Sequence, residues 1–410
     1  MKKEGLFSNR YQWVIMFSGT CALFASLGIG RFALGMLLPA MGVELQLSYA
    51  QMGIISTLNF CGYLSAVLLC GYFSRICGTR LLVFIALTMV GGSMLLIGSV
   101  ENLWLIMGLY FVTGVGSALS NVPIMALLAV WFKPLYRGRV AGVMVMGNGL
   151  GIVMSGYLVP VLNNCGYGWQ LSWLCLGGIA LIAALCSGLL LRNEPEPELA
   201  EQILAASMVQ HSVAHQESIG EPPPWYRKIY LHCGAIYFLF GFTYVIYVTF
   251  LVTSLVQERG MIEQSAGVIW SWVGLLSLVS GPLFGYVSDR FGRRNALMAV
   301  FSIQSVAYLF AISGLPLYAL YGSVFCFGIV AWSIPSIMAA LVGDIAGPAR
   351  AATIFGFVTF VFGIGQISGP YCAGLLAEHT GGFTMSFLMA SLLAIAAVVL
   401  SARLPIQMKG

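Results

Sequence analysis

Charge is what this chain has least of. Only 8% of its 410 residues are Asp, Glu, Lys or Arg, while 59% are hydrophobic, whereas soluble domains carry about 25% charged residues. A water-soluble globule is excluded by that balance. Acids are absent where they would cost most: all 14 Asp and Glu fall in loops or at the ends of apolar runs, so no buried carboxylate serves as a dedicated proton carrier. The ten cysteines are singletons with no CxxC pair. Of the four histidines, His211 and His215 lie in a polar stretch and His232 and His379 near run ends. Neither a disulfide framework nor a metal or other cofactor is expected from these spacings. No phosphate-cradling glycine loop is present to couple ATP, and no His or carboxylate cluster for catalysis, so an enzyme is not expected. The alternating pattern of a membrane barrel is missing too. The first apolar run is too long for a signal-peptide core and ends in no cleavage motif, so no cleaved leader is expected.

What is present is length without charge. Apolar runs of about 20 residues recur twelve times, over 11–40, 50–73, 81–100, 103–132, 140–162, 170–191, 229–256, 266–287, 296–314, 317–343, 351–376 and 383–400. Each suffices to cross about 30 Å of hydrocarbon as a helix. The basic residues orient them. Of the 19 Lys and Arg, 17 fall on one side of this alternation, Arg259 alone on the other, and Arg31 inside a run. That bias places both termini and the long central loop in the cytoplasm. The net charge of +5 is therefore topological, and no nucleic-acid partner is expected.

A polar segment divides the chain into a six-helix bundle at 1–191, a cytoplasmic linker at 192–228 and a second six-helix bundle at 229–410. It starts with Asn193-Glu-Pro-Glu-Pro-Glu-Leu199 and ends with Glu221-Pro-Pro-Pro-Trp225, with helix formers around Leu204, Ala205 and Ala206 between, the pattern of a linker carrying one short helix. The two bundles repeat one another. Gly71–Arg80 matches Gly285–Arg294 at five of ten positions at an offset of 214, the same offset pairs Glu44 with Glu258, and Pro123 faces Pro335 at 212. Parallel repeats of this kind build transporters whose substrate site lies near the midplane. The fold class expected is an all-α membrane protein with twelve transmembrane helices in two pseudo-symmetric six-helix bundles.

The second copy, Gly285-Tyr-Val-Ser-Asp289-Arg290-Phe-Gly292-Arg293-Arg294, resembles the G-x-x-x-D-R-x-G-R-R loop signature of the Major Facilitator Superfamily. Gly28-Ile-Gly-Arg31-Phe-Ala and Phe240-Gly-Phe-Thr-Tyr-Val-Ile-Tyr-Val-Thr-Phe250 resemble a bacterial branch of largely uncharacterised permeases. The resemblance spans essentially the whole chain. It implies a gating role for Asp289, with Arg290, Arg293, Arg294, Gly285 and Gly292 around it: the carboxylate pairs with arginines and a helix N-terminus when the cytoplasmic side is closed. The first copy departs from the pattern, carrying Arg75 opposite Asp289, so this gate rests on one half.

Arg31 is the residue to explain. It lies about 18 residues into an apolar run, where an arginine costs about 2.5–3.5 kcal/mol. Flanking Gly28, Gly30 and Gly35 admit another backbone or a ligand. One role is an anion-binding guanidinium in a central cavity. The other is a structural arginine that caps helix carbonyls or snorkels to the interface. Tyr237, Tyr244, Tyr247, Leu251 and Ser254 recur at helical spacing and suggest a tyrosine stripe that either encloses a ligand or packs. Asn121, Asn148 and Gln366 join Arg31, Tyr244 and Tyr247 as substrate-binding candidates, with Asn59, Tyr110, Gln304 and Trp332 behind them. Glycines at 142, 147, 149, 151 and 156, and at 356, 363, 365 and 369, suit close sliding helix contacts.

The expected function is secondary active or facilitative transport of a small organic solute, an organic anion (carboxylate), by alternating access. Its partners are that solute, the bilayer and a proton or counter-anion. If protons are coupled, Glu378, His379 or Asp344 at an aqueous mouth is available to carry them. Efflux of neutral or amphipathic drug-like compounds, with Arg31 structural, is the alternative. The expected setting is the bacterial cytoplasmic (inner) membrane, as a multi-pass monomer. Asp289→Asn is expected to favour inward-open states, read as faster labelling of cytoplasmic-side cysteines; unchanged labelling counts against the gate.

Overall fold

The structure, a computed structural model, describes residues 10–215, 225–346 and 348–404. Lys2, Lys3 and Lys409, three of the 17 basic residues counted on one side, and the stretch from Glu221 to Pro224 lie outside the described residues. Among the described residues all regular structure is helical. In chain order the helices are α1 (Arg10–Leu23), a π-helical segment (Phe24–Ile29), α2 (Ala33–Glu44), α3 (Tyr49–Ile97), α4 (Leu103–Trp131), α5 (Pro134–Leu162), α6 (Gly168–Leu190), α7 (Pro197–His215), α8 (Trp225–Gln257), α9 (Glu263–Phe291), α10 (Arg293–Phe310), α11 (Leu317–Val330), α12 (Ser333–Ala346), α13 (Pro348–Thr380) and α14 (Thr384–Ala402).

Among the described residues ten stretches are long and apolar enough to cross a membrane. They accommodate the twelve expected spans because α3 turns back at Gly78 and holds two of them, and the 18-residue α10 is another. At Gly78 the backbone takes φ 71°, ψ 156°, and at Gly292, 214 residues on, φ 88°, ψ 153°. Only glycine enters that region cheaply. The internal repeat is thus written in backbone geometry as well as in residue identity. The helix expected around Leu204–Ala206 is α7, with Pro197 at its start, where proline's missing N–H costs nothing.

The chain clusters into two compact units. One comprises Met1–Leu34 with Leu58–Val213, the other Gly35–Thr57 with Ala214–Gly410. In the first unit small residues bring backbones together. A Cβ on Gly114 would stand 2.0 Å from the Asn59 carbonyl, one on Gly62 2.1 Å from that of Phe111, and one on Gly151 2.4 Å from Gly28. The side chains these helices turn outward, such as Trp104 and Leu189, are large and apolar, as lipid-facing surfaces require. In the second unit Gly35 meets the carbonyl of Val248 and Gly53 that of Pro370, and Ser56 Oγ lies 3.1 Å from Thr249 Oγ1. Arg259, set apart from the other loop basic residues by the sequence alternation, is structural: its Nη1 and Nη2 donate to the carbonyls of Leu315 and Ile312 between α10 and α11.

Not all glycines in the expected sliding faces are alike. Gly147, Gly151, Gly365 and Gly369 press on neighbouring backbone, while Gly142 and Gly356 have nothing within 4 Å. Gly151→Val is expected to cost about 1–3 kcal/mol by overpacking, lowering the apparent melting temperature in detergent, whereas Gly142→Ala leaves it undiminished.

Candidate substrate site and the loop between α9 and α10

The first membrane pass is broken where Arg31 sits. From Phe24 to Ile29 the chain widens to a π-helix, and the amides of Arg31 and Phe32 both return to the carbonyl of Leu27. Gly30 is obligatory in this turn, because a Cβ there would lie 2.5 Å from the Ser26 carbonyl. Carbonyls released from the regular ladder need other donors, and α4 supplies them. Ser117 Oγ donates to the Ser26 carbonyl at 2.7 Å, and Tyr110 Oη to the Arg31 carbonyl at 2.8 Å.

The Arg31 side chain enters this clamp from the same unit. Its Nε donates to Asn59 Oδ1 at 3.2 Å, Asn59 Nδ2 donates to the Tyr110 carbonyl at 3.1 Å, and Tyr110 closes the ring on the Arg31 backbone. The Cζ of Arg31 lies over the rings of Phe60 and Tyr63, 4.7 and 4.3 Å from their centroids. Such contacts offset part of the burial cost, about 0.5–2 kcal/mol each. Arg31 is only 8% exposed, all these partners are neutral, and Nη2 is buried with no hydrogen bond. A buried donor left unpaired is expensive and marks a place for an acceptor.

Asn121 and Asn148 belong to this unit as well. Asn121 Nδ2 donates to Tyr63 Oη at 2.8 Å, extending the chain of polar groups from Arg31. Asn148 is 6% exposed with Oδ1 unpaired, and its backbone abuts Gly28 in the π-helical segment. Phe60, Tyr63 and Ser117 were not singled out from sequence. Their only signal was position: two aromatics within one turn of Asn59, and a serine seven residues beyond Tyr110.

The expected tyrosine stripe divides. In the second unit Tyr244 turns toward α13, where Gln366 Nε2 donates to its hydroxyl and Phe362 stacks at 6.1 Å, with Tyr237 on the same ring at 4.3 Å and Trp332 edge-on to Tyr244 at 6.0 Å. Tyr247 turns the other way. It is fully buried, hydrogen-bonded to Ser323 at 2.9 Å and stacked on Phe327 at 4.0 Å. Tyr247 is packed between helices, so the single face expected for the three tyrosines is corrected to two. Gln304 is wholly buried with both amide ends unpaired.

At the loop between α9 and α10 the centre is Arg293. Its Nη1 donates to Asp289 Oδ1 and to Ser288 Oγ, and its Nε to Asp344 Oδ2 at 2.9 Å. Arg290 turns to the hydroxyl of Tyr286, and Arg294 buries an Nε without a hydrogen bond. Gly292 provides the turn, and Gly285 has open space beside it. Asp344, weighed above as a proton carrier, is thus the second carboxylate on Arg293. The Asp289 side chain is 71% exposed, and pairs so exposed are worth about 0–1 kcal/mol each.

Broken helices at membrane depth beside an uncompensated cation, in a chain built twice from one plan, are the construction of a secondary transporter. Residues 23–402 match the family described as uncharacterised MFS-type transporter YbfB, and the chain belongs to that family of the Major Facilitator Superfamily. The hexuronate transporter of Bacillus subtilis strain 168 is 27% identical over 386 residues, covering 90% of this chain and 88% of its own length. The probable sulfoacetate transporter SauU of Cupriavidus necator is 22% identical over 395 residues, 91% of this chain and 89% of its own. A bacterial homologue of the human lysosomal transporter Spinster, solved inward-facing and unoccupied, shares the fold with a TM-score of 0.72 at 14% identity, over 96% of this chain and 97% of that one. The protein is a multi-pass membrane transporter with the two six-helix halves of that superfamily.

Tyr110→Phe deletes the donor to the Arg31 carbonyl. It is expected to cost about 1–2 kcal/mol and to lower the apparent melting temperature, whereas Tyr157→Phe, at an exposed position, does not.

Proposed function

We propose that this chain carries a small organic anion, held by its carboxylate, across the bacterial cytoplasmic membrane by alternating access. The observation that supports this reading most is the unpaired Nη2 of Arg31, buried among neutral partners. A guanidinium in low dielectric binds a carboxylate through paired hydrogen bonds. Nη2 has that capacity unused. The two relatives described above are named for organic acids, a hexuronate and a sulfoacetate, which favours an anion over a drug-like efflux substrate.

Around Arg31, Asn148 offers an unpaired acceptor for a substrate hydroxyl, and Asn121 orients Tyr63. Tyr244 and Gln366 are the corresponding candidates of the second unit. In this reading the moving parts are bundles 1–191 and 229–410, joined by the linker at 192–228, with the termini in the cytoplasm and the protein acting as a monomer. Asp289 and Arg293 bias the exchange between states. A proton or counter-anion accompanies the solute.

The test is a thermal-shift screen of purified wild type and Arg31→Gln against carboxylates, phosphorylated sugars, amino acids and cationic drugs, since a ligand stabilises the state that binds it. Acids are expected to raise the melting temperature of wild type alone. Stabilisation of both proteins equally, by neutral or cationic compounds only, overturns the anion reading in favour of efflux.

A further inference from the structure

One edge of a planar guanidinium presents the Nε hydrogen and a hydrogen of Nη2 side by side, at the spacing of the two oxygens of a carboxylate. In Arg31 this edge is half filled. Asn59 Oδ1 accepts from Nε at 3.2 Å, and Nη2 next to it is buried with no hydrogen bond. An amide has one oxygen and can fill only half of such an edge. Asn59 cannot simply turn over, because its Nδ2 donates to the Tyr110 carbonyl at 3.1 Å. A reversed amide would set N–H against N–H. Asn59 itself is 1% exposed, on a backbone fixed by the Gly114 contact.

We propose that Asn59 tempers the preference of Arg31 for acids by standing in for one carboxylate oxygen on its Nε, to be displaced by a ligand that brings two. The inference rests on Arg31 as the anion receptor and deepens that reading. A ligand with a single neutral acceptor, such as an alcohol or a primary amide, reaches Nη2 alone while Asn59 keeps Nε, and gains one neutral hydrogen bond, far less than a carboxylate. A carboxylate displaces Asn59 and takes Nε and Nη2 together. Asn59 thereby sets a displacement cost that falls on acids and not on single acceptors, holding acid affinity to a level that permits release. An aspartate at this position would fill the whole edge and shut ligands out.

The experiment compares binding of D-glucuronate and its neutral amide, D-glucuronamide, to purified full-length wild type, Asn59→Asp, Asn59→Ala and Arg31→Gln, by thermal shift and calorimetry. If the carboxylate screen returns a different acid, that acid and its primary amide take their place. Wild type is expected to bind the acid far more tightly than the amide. Asn59→Asp is expected to weaken acid binding by about 100-fold or more, since its carboxylate pairs with Arg31. Asn59→Ala is expected to bind the acid about tenfold more tightly and to leave amide binding little changed, widening the ratio between them. Acid binding by Asn59→Asp at wild-type strength, or an unchanged acid-to-amide ratio in Asn59→Ala, overturns the role of Asn59 while leaving the anion site standing. If Asn59→Asp does not fold, the ratio in Asn59→Ala decides alone. Failure of wild type to bind any acid, or equal binding by Arg31→Gln, overturns the anion site and this inference with it.

Discussion

A cation buried without a counter-ion is the constraint around which the first unit is arranged. An arginine at membrane depth is tolerable only if its surroundings replace much of the solvation it has lost. Here the replacement is neutral: two aromatic rings and one amide oxygen. A carboxylate would solvate the guanidinium better, and would also compete with every anion that arrived. A carrier has to bind its solute and let it go. On the proposed reading, neutral partners leave the largest favourable interaction of Arg31 to the ligand.

That arrangement depends on a backbone that is not a plain helix. The π-helical segment frees carbonyls at the level of Arg31, and hydroxyls from α4 take them up. The break between α11 and α12 follows the same rule, with the amide of Trp332 donating to Ser280 Oγ at 3.2 Å. Interruptions of this kind persist in a membrane where neighbouring side chains re-satisfy the backbone. The two loop motifs share their glycine geometry at Gly78 and Gly292 but differ in what secures them. The first is tied by neutral acceptors, Arg80 donating to Asn193 Oδ1 and to the Gly188 carbonyl. The second is tied by Arg293 between two carboxylates. The asymmetry announced by Arg75 opposite Asp289 is therefore physical: salt screens the second loop far more than the first.

Features that arise from composition and period were legible in sequence. Twelve apolar runs, the repeat at 214 residues and the isolated Arg31 all follow from the cost of moving charge and open backbone into hydrocarbon. What could not be read was which helix each side chain meets. Tyr244 and Tyr247 are three residues apart, about 60° around a helix, enough to send one toward α13 and the other toward α10 and α11. Asn59 looked no different from six other polar residues inside the runs. Its importance comes from the Gly114 contact, which sets α4 against its backbone and its amide between Arg31 and Tyr110. The sequence neighbourhood of Asn59 carries no trace of that meeting.

The choice of arginine over lysine at position 31 follows from the same geometry. An ammonium is a compact point charge whose three donors radiate from one atom, and when buried it tends to give up its proton. A guanidinium stays charged, lies against aromatic rings and keeps a straight hydrogen-bonding edge. In Arg31 these capacities are divided among separate partners: Phe60 and Tyr63 lie against its carbon, Asn59 takes Nε, and Nη2 is left over. An ammonium has neither a flat face to lie against two rings nor a straight edge that offers two parallel hydrogen bonds to a carboxylate. On the proposed reading Arg31 uses both, held by Phe60, Tyr63 and Asn59 while Nη2 stays available to the solute.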